Sequence, residues 1–393
     1  MRDSYRLVYL SPFPMGRTPE GTWLVENKTW SGVSAYADKW PGRVIIASPG
    51  SAMPLDSRST SLTEVANHDE RVQVVEIPGF GDVQPQLRAL RELRPDVILT
   101  LLHVQAAHLV PDLPLVFTAE CDFEIRREQA RVSSAGPADR ARVLAGLIRR
   151  EIAYRRMIPR ALSLQCNGPA ATRSYASLAR EPISYMDHRL HRVDVEASAR
   201  TEAWDGSRPL RLGFSGRWTA IKGPDLAVRS LPRIRQVFPD ATLTFFGGGE
   251  MENELRAVAG PGVEFAGYLD FETEWKTAVR EGVDIMVLPH LQGDPSCTYY
   301  ESIGSGAPVV GFAHATLRPL AEDLKVAAVA RRRTTDSLAE AVIDLASDLP
   351  RYRAMRAAGI ELVRNESAEA VTIARVDHLV AAAARNRRTA AER

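Results

Sequence analysis

The sequence predicts an α/β protein made of two doubly wound, parallel-sheet domains facing each other across a cleft. Three observations carry this expectation. Short, continuous apolar runs alternate with helix-period segments from one end to the other, which is how buried parallel strands with covering helices read. The alternation breaks once, at a polar stretch, and then restarts. The chain of 393 residues is also long enough for two domains of ordinary size.

Taken in order, the first half offers strands at 6–10, 44–48, 72–77, 97–101, 115–118 and 162–165, with helical patterns such as 84–93 and 142–158 between them. Residues 189–207 are polar with little apolar periodicity and are expected to be a linker. The second half restarts with strand 210–215, helix 224–237, strand 242–246, strand 263–265, helix 272–280 and strand 284–289. A loop, a helix from about 298 and strand 309–312 follow, then helices at 336–347, 350–362 and 368–384. Domain one is set at 1–195, domain two at 196–367, and a terminal helix and tail at 368–393, with 385–393 expected to fray.

Composition narrows the function. Lys+Arg is 50 and Asp+Glu is 49, a balance that argues against a nucleic-acid binder. Only Lys28, Lys39, Lys222, Lys276 and Lys325 are lysines, so each of those positions draws notice. Three widely spaced cysteines with no CxxC pair argue against a zinc site and fit a reducing, cytoplasmic setting. No signal-peptide pattern and no membrane-spanning apolar stretch is expected.

Open α/β sheets bind ligands beyond the carboxyl ends of their strands, so chemistry is expected in the loops there. After the strand ending at Ser215 comes Gly216-Arg217-Trp218-Thr219-Ala220-Ile221-Lys222-Gly223, with a helix opening at Pro224. An Arg, a Lys and a helix N-terminus all favour phosphate, and this spacing suits one diphosphate. The plain alternative is a solvated loop with two unrelated charges. Phe246-Gly247-Gly248-Gly249 lets the backbone approach a ligand, or simply makes a tight turn. The third segment runs Gln292-Gly293-Asp294-Pro295-Ser296-Cys297-Thr298-Tyr299-Tyr300-Glu301 and on to Gly306-Ala307-Pro308-Val309-Val310. Free amides at 296–298 suit a phosphate or sugar, and a carboxylate at Glu301 forks onto a ribose diol. Helix-dipole compensation by Glu301 and N-capping by Ser296 are the plain alternatives.

The three segments, in this order and spacing, resemble the retaining glycosyltransferases of the GT-B fold, similar to glycosyltransferase family 4. The resemblance covers roughly 210–365, and in the first half extends only to layout. It implies two Rossmann-like domains, with the terminal helix crossing back onto the first. It implies transfer of a sugar from a nucleoside-diphosphate donor to an acceptor hydroxyl with retention, without a metal and with no cofactor beyond the sugar nucleotide as co-substrate. Arg217 and Lys222 then take the diphosphate and Glu301 the ribose. Gly216, Gly248, Tyr268, Leu269, Asp294, Pro295, Ser296, Cys297 and Thr298 line the donor. The slot eight residues before Glu301, acidic in the family, holds Gly293, with Asp294 and Gln292 as substitutes. In this the chain resembles a subset with a Gly-Asp-Pro-Ser-Cys-Thr-Tyr donor loop.

The acceptor side is assigned to the first domain. Gly16 and Arg17 in the loop 11–30, and His103 after strand 97–101, are the acceptor candidates. Glu120 and Asp122 after strand 115–118 stand where the family has a His, and either would orient the acceptor hydroxyl. Asp187-His188-Arg189 is a further cleft candidate. Segment 142–160 has Val143, Leu144, Leu147, Ile148, Ile152 and Met157 as an apolar stripe and arginines opposite. It is taken as a core stripe under a solvated face in preference to a membrane-surface contact. The acceptor class stays open between a glycan, a lipid-linked saccharide and a small molecule. Competing readings are a sugar-nucleotide epimerase, a sugar-nucleotide-binding pseudo-enzyme, and a nicotinamide or flavin enzyme. The last is disfavoured because Ser11-Pro12-Phe13-Pro14-Met15-Gly16 lacks the Gly-x-Gly-x-x-Gly fingerprint.

Overall fold

The computed structural model describes residues 5–18, 21–50, 62–65, 71–134 and 136–392, the side chains of Lys28 and Ser133 excepted. The first half runs β1 (Tyr5–Leu10), β2 (Gly16–Arg17), β3 (Trp23–Glu26), α1 (Asn27–Ala37), β4 (Gly42–Pro49), β5 (Leu62–Val65) and β6 (Val72–Ile77). It continues with α2 (Val83–Glu92), β7 (Val97–Leu101), β8 (Leu115–Ala119), α3 (Phe123–Ser133), α4 (Pro137–Met157), β9 (Ser163–Asn167), α5 (Gly168–Tyr175) and β10 (Ile183–Tyr185). Seven of these strands form a parallel sheet in the order β10-β9-β8-β7-β1-β4-β6. Strands β2, β3 and β5 make a small antiparallel sheet beside it.

After α6 (Arg192–Arg200) the second half runs β11 (Arg211–Ser215), α7 (Pro224–Arg235), β12 (Thr242–Phe246), α8 (Glu252–Val258), β13 (Val263–Gly267) and α9 (Lys276–Gly282). Then come β14 (Ile285–Leu288), α10 (Cys297–Gly304), β15 (Val309–Phe312), α11 (Leu317–Glu322), β16 (Ala327–Ala330), α12 (Thr335–Ser347), α13 (Leu349–Asn365) and α14 (Ala368–Ala391). The second sheet is parallel throughout, in the order β13-β12-β11-β14-β15-β16. The chain winds outward from β11 in one direction and from β14 in the other. The loops following those two strands therefore part, leaving a crevice at the switch point.

Helix α14 leaves the second domain and packs on the first. Val376, Leu379, Ala382 and Ala383 join the core that holds Leu7, Val97 and Val116. His378 Nε2 meets Ser163 Oγ at 2.8 Å, and Arg387 pairs with Asp96 at 2.6 Å while lying over the Tyr5 ring. The helix thus continues through residues 385–391, which the sequence had been expected to leave frayed; partners on the first sheet hold it.

Other expectations are corrected in the same way. Residues 192–200 are helical rather than linker: α6 has a capping box between His191 and Asp194, and Arg356 reaches the carbonyls of Ser198 and Thr201. The loop 11–30 contains β2, β3 and the start of α1. Strand β16 was missed because Ala327-Ala328-Val329-Ala330 has small side chains and little apolar contrast. On α4 only Leu147, Tyr154 and Met157 are buried, whereas Leu144, Ile148 and Ile152 are exposed, so the stripe read as core is split between core and surface.

One buried carboxylate fastens the middle of the second sheet. Asp284, just before β14, is 3% exposed and accepts both Arg208 guanidinium nitrogens at 2.7 Å and the Arg211 backbone N–H at 2.9 Å. Burial alone would raise its pKa, but the hydrogen bonds from Arg208 and Arg211 prevail and hold the carboxyl below the usual carboxylate range. A depressed folded-state pKa adds stability above the unfolded value of about 3.9, lost as pH falls through the folded value. Asp284→Asn is expected to cost about 1–3 kcal/mol in urea unfolding at pH 7. Its deficit relative to wild type should shrink as the pH is taken below about 4; a deficit that does not change with pH would contradict this role.

Candidate functional site

The loops after β11 and β14 meet at the switch point, where the Leu291 N–H donates to the Ile221 carbonyl at 2.9 Å. Gly223 begins α7 in a left-handed conformation, φ 63°, and a Cβ there would stand 2.5 Å from the Pro289 carbonyl oxygen. Only glycine fits, and its turn sends Lys222 inward. Lys222 is 7% exposed, and its Nζ donates to Asp294 Oδ2 at 2.9 Å and Oδ1 at 3.2 Å. Arg217, at the mouth of the same loop, is exposed and has no side-chain hydrogen bond or ion pair among the described residues. Helix α10 starts beside them. Its N-cap, Ser296, gives no side-chain cap and turns its hydroxyl toward Thr298 Oγ1 at 3.4 Å. No side chain caps the first turn of α10, so a loop carrying two cations and a helix N-terminus lie together at the switch point.

The glycine run plays a packing part. The Gly216 N–H donates to Phe246 O at 3.1 Å and the Trp218 N–H to Gly248 O at 2.8 Å. A Cβ on Gly247 would come within 2.2 Å of the Gly216 carbonyl oxygen. Two loops are therefore pressed together, while Gly248 itself borders open space. Tyr268, at the end of edge strand β13, is 74% exposed, and Leu269 behind it is partly buried.

Glu301 is the fifth of the eight residues of α10, 2% exposed, and both its oxygens are taken. Arg189 forks onto it with Nε–Oε1 at 2.8 Å and Nη2–Oε2 at 3.2 Å, and lies over the Phe271 ring at 3.7 Å. Next along, the Cys297 thiol donates to Asp187 Oδ2 at 3.6 Å. The segment 187–189 does face this site, though His188 is turned away to Glu366 O at 2.7 Å. Arg189→Met should leave Glu301 buried and unpaired, at a cost of about 1–3 kcal/mol in urea unfolding. Removing both charges with Arg189→Met/Glu301→Leu should recover most of that loss. Full additivity would mean the pair is not coupled.

Behind Asp294 lies a buried chain of polar groups that sequence spacing did not bring together. His314 Nδ1 accepts the Thr316 and Leu317 N–H groups at 3.3 and 3.2 Å, so its Nε2 carries the proton. That Nε2–H faces Tyr299 Oη at 2.9 Å, and Tyr299 in turn donates to His290 Nδ1 at 2.7 Å. Burial pushes His314 down to about 3 and His290 well below the usual imidazole value, with Lys222 adding to both shifts. The two rings are neutral props that fix the start of α10.

The first domain touches this site through α3 and α5. Glu128 Oε2 accepts the Gly293 N–H at 3.1 Å and its Oε1 accepts Arg333 at 2.8 Å; Gln129 donates to Gln292 at 3.4 Å. A Cβ on Gly168 would meet Pro295 at 2.8 Å. Among the candidates from this domain, Glu120 is exposed at the end of β8. Asp122 does not serve the acceptor, contrary to expectation: it is 3% exposed and caps α3, accepting the Ile125 N–H at 2.9 Å and the Ser174 hydroxyl at 2.8 Å, so neither oxygen is open to an acceptor. Arg17 lies over Trp23 and pairs with Glu76 at 3.1 Å, and Gly16 pairs with Leu24 in the small sheet. His103 sits edge-on to Phe80 with centroids 4.7 Å apart, and burial lowers its pKa to about 4.

The fold is shared with solved structures. The chain is similar to a sucrose-phosphate synthase from Thermosynechococcus elongatus (TM-score 0.63, 15% identity, covering 96% of this chain and 100% of that one). It is similar also to HepE of Anabaena in complex with UDP and glucose (TM-score 0.60, 13% identity, covering 96% and 99%). The chain has the GT-B fold. In sequence, residues 209–348 match the family model described as glycosyl transferases group 1. A GDP-mannose-dependent monoacylated α-(1-6)-phosphatidylinositol monomannoside mannosyltransferase of Corynebacterium glutamicum is 27% identical over 180 residues, 42% of this chain and 45% of that protein. A GDP-mannose-dependent α-(1-6)-phosphatidylinositol monomannoside mannosyltransferase of Mycolicibacterium smegmatis is 27% identical over 209 residues, 48% of this chain and 54% of its own length. The chain thus spans about half the length of the relatives it matches. The matched model covers the GT-B half that holds Arg217, Lys222, Asp294 and Glu301.

Proposed function

We propose that this GT-B protein is a glycosyltransferase that moves a sugar from a nucleoside-diphosphate donor to an acceptor hydroxyl with retention of anomeric configuration. The observation that carries the reading is the nearly buried Lys222, beside the unpaired Arg217 and the uncapped start of α10. In the transfer, Lys222 Nζ moves from Asp294 to the departing diphosphate, Arg217 closes over it, and the N-terminal end of α10 donates to its remaining oxygens. Preorganised donors of this kind stabilise a leaving group without a metal ion. Asp294, released from Lys222, turns to the donor sugar hydroxyls. Glu301 receives the ribose once the half-exposed Arg189 swings outward. Glu120 orients the acceptor hydroxyl. GDP-mannose use by the relatives and UDP in HepE support a sugar nucleotide as donor, and the relatives' names support a lipid-linked acceptor. Resemblance to family 4 supports retention.

The test is thermal-shift titration with GDP, UDP, ADP and dTDP in the presence of EDTA, since a ligand of the folded state raises Tm by mass action. One nucleotide should raise Tm in the wild type. Lys222→Ala should weaken it by about tenfold or more, because a charge-assisted contact is lost and Asp294 is left facing the phosphates. Asp294→Asn should leave the nucleoside diphosphate bound as well or better, while weakening the intact sugar nucleotide. Wild-type affinity in folded Lys222→Ala would end this assignment.

A further inference from the structure

On the first-domain side of the crevice, α3 and α4 are joined by an Arg126–Glu151 ion pair of 2.7 Å. With Leu291 and Arg333 from the second domain they line an open cavity of about 800 Å³, the size of a ligand site rather than a packing defect. Its floor is apolar, formed by Val132, Leu144, Leu147 and Leu291. Its rim is cationic. Arg127 is neutralised by Glu124 at 2.5 Å and Arg333 by Glu128 at 2.8 Å. Arg131 and Arg140 have no carboxylate partner among the described residues, and the Arg140 guanidinium reaches only the Arg131 carbonyl at 3.5 Å. Two uncompensated guanidinium forks above an apolar floor complement an anion attached to hydrocarbon.

The apolar surface does not stop at the cavity. From Leu144 it continues to Ile148 and Ile152, which lie four residues apart on one face of α4 and are 37%, 46% and 45% exposed in that order. The cavity also adjoins the donor loop, because Glu128 holds Arg333 with one oxygen and the Gly293 N–H with the other. We propose that the cavity binds the anionic head of an amphiphilic acceptor of the phospholipid class, its hydrocarbon running along Leu144, Ile148 and Ile152. Naming the ligand as acceptor rests on the glycosyl-transfer reading; the binding site itself does not.

The experiment is calorimetric titration of the full chain with short-chain phosphatidic acid below its micellar concentration. Phosphatidylcholine of equal chain length and inorganic phosphate are the comparisons. The anionic lipid should bind about tenfold more tightly than either, since neither offers both charge and hydrocarbon. Arg131→Ala/Arg140→Ala and, separately, Leu144→Ser should each weaken it by about tenfold with Tm unchanged. Arg351→Ala/Arg353→Ala, exposed on α13 of the second domain, should leave it as it was. Equal affinity for inorganic phosphate would reduce the site to an anion contact and overturn the proposal. An equal loss in Arg351→Ala/Arg353→Ala would reduce it to diffuse attraction, and absence of lipid binding would likewise overturn it. Nucleoside-diphosphate titration of the same proteins keeps the two readings apart. Lipid binding without nucleotide binding sinks glycosyl transfer alone, and the reverse sinks this site alone.

Discussion

A lysine ammonium that is almost fully buried must keep an anionic partner, and this requirement organises the second domain. Lys222 meets it with Asp294, which joins the loop after β11 to the loop after β14 across the switch point. The pair is a poor source of stability, because burying either charge costs about as much as their attraction returns. It is a good exchange site. Asp294 is a quarter exposed and regains water when it is released, so an incoming phosphate takes over a cation that is already desolvated and aimed. The glycine at 223, the contact with Pro289, and the His314–Tyr299–His290 chain beneath α10 all serve to hold that geometry.

The first domain acts on the same place from the opposite side. Glu128 fixes the Gly293 amide, Gly168 presses on Pro295, and Arg189 at the domain junction covers Glu301. Helix α14 returns to the first sheet and ties the two sheets together. These contacts make the donor loop a shared element. Opening the cleft would break the Glu128 and Gln129 bonds to the donor loop together, so ligand access and domain position are linked through a few named hydrogen bonds.

Much of this was legible in the sequence. Parallel strands buried on both faces announce themselves as apolar runs, and the main strands of both sheets, β16 and the short β10 apart, lie where those runs fall. The Lys222 loop stood out because lysine is scarce and the segment sits between a strand and a helix start. What could not be read depends on side-chain partners far apart in the chain. Asp122 looked like a catalytic carboxylate by position, but Ser174 and the Ile125 amide consume it. Glu301 looked open for a diol, yet Arg189, more than a hundred positions away, covers it. The stripe on α4 has helical spacing on both its buried and exposed sides, so periodicity alone cannot say that Leu144, Ile148 and Ile152 face outward. Polar residues 192–200 hid a helix because its support comes from α13 rather than from an apolar stripe of its own.

The most direct measurement is a crystal structure with the nucleoside diphosphate that raises Tm, read for the position of Lys222 Nζ. The account predicts the diphosphate against the first turn of α10, with Nζ within hydrogen-bonding distance of its oxygens and the bond to Asp294 broken. A nucleotide bound elsewhere, with the Lys222–Asp294 pair intact, would contradict it.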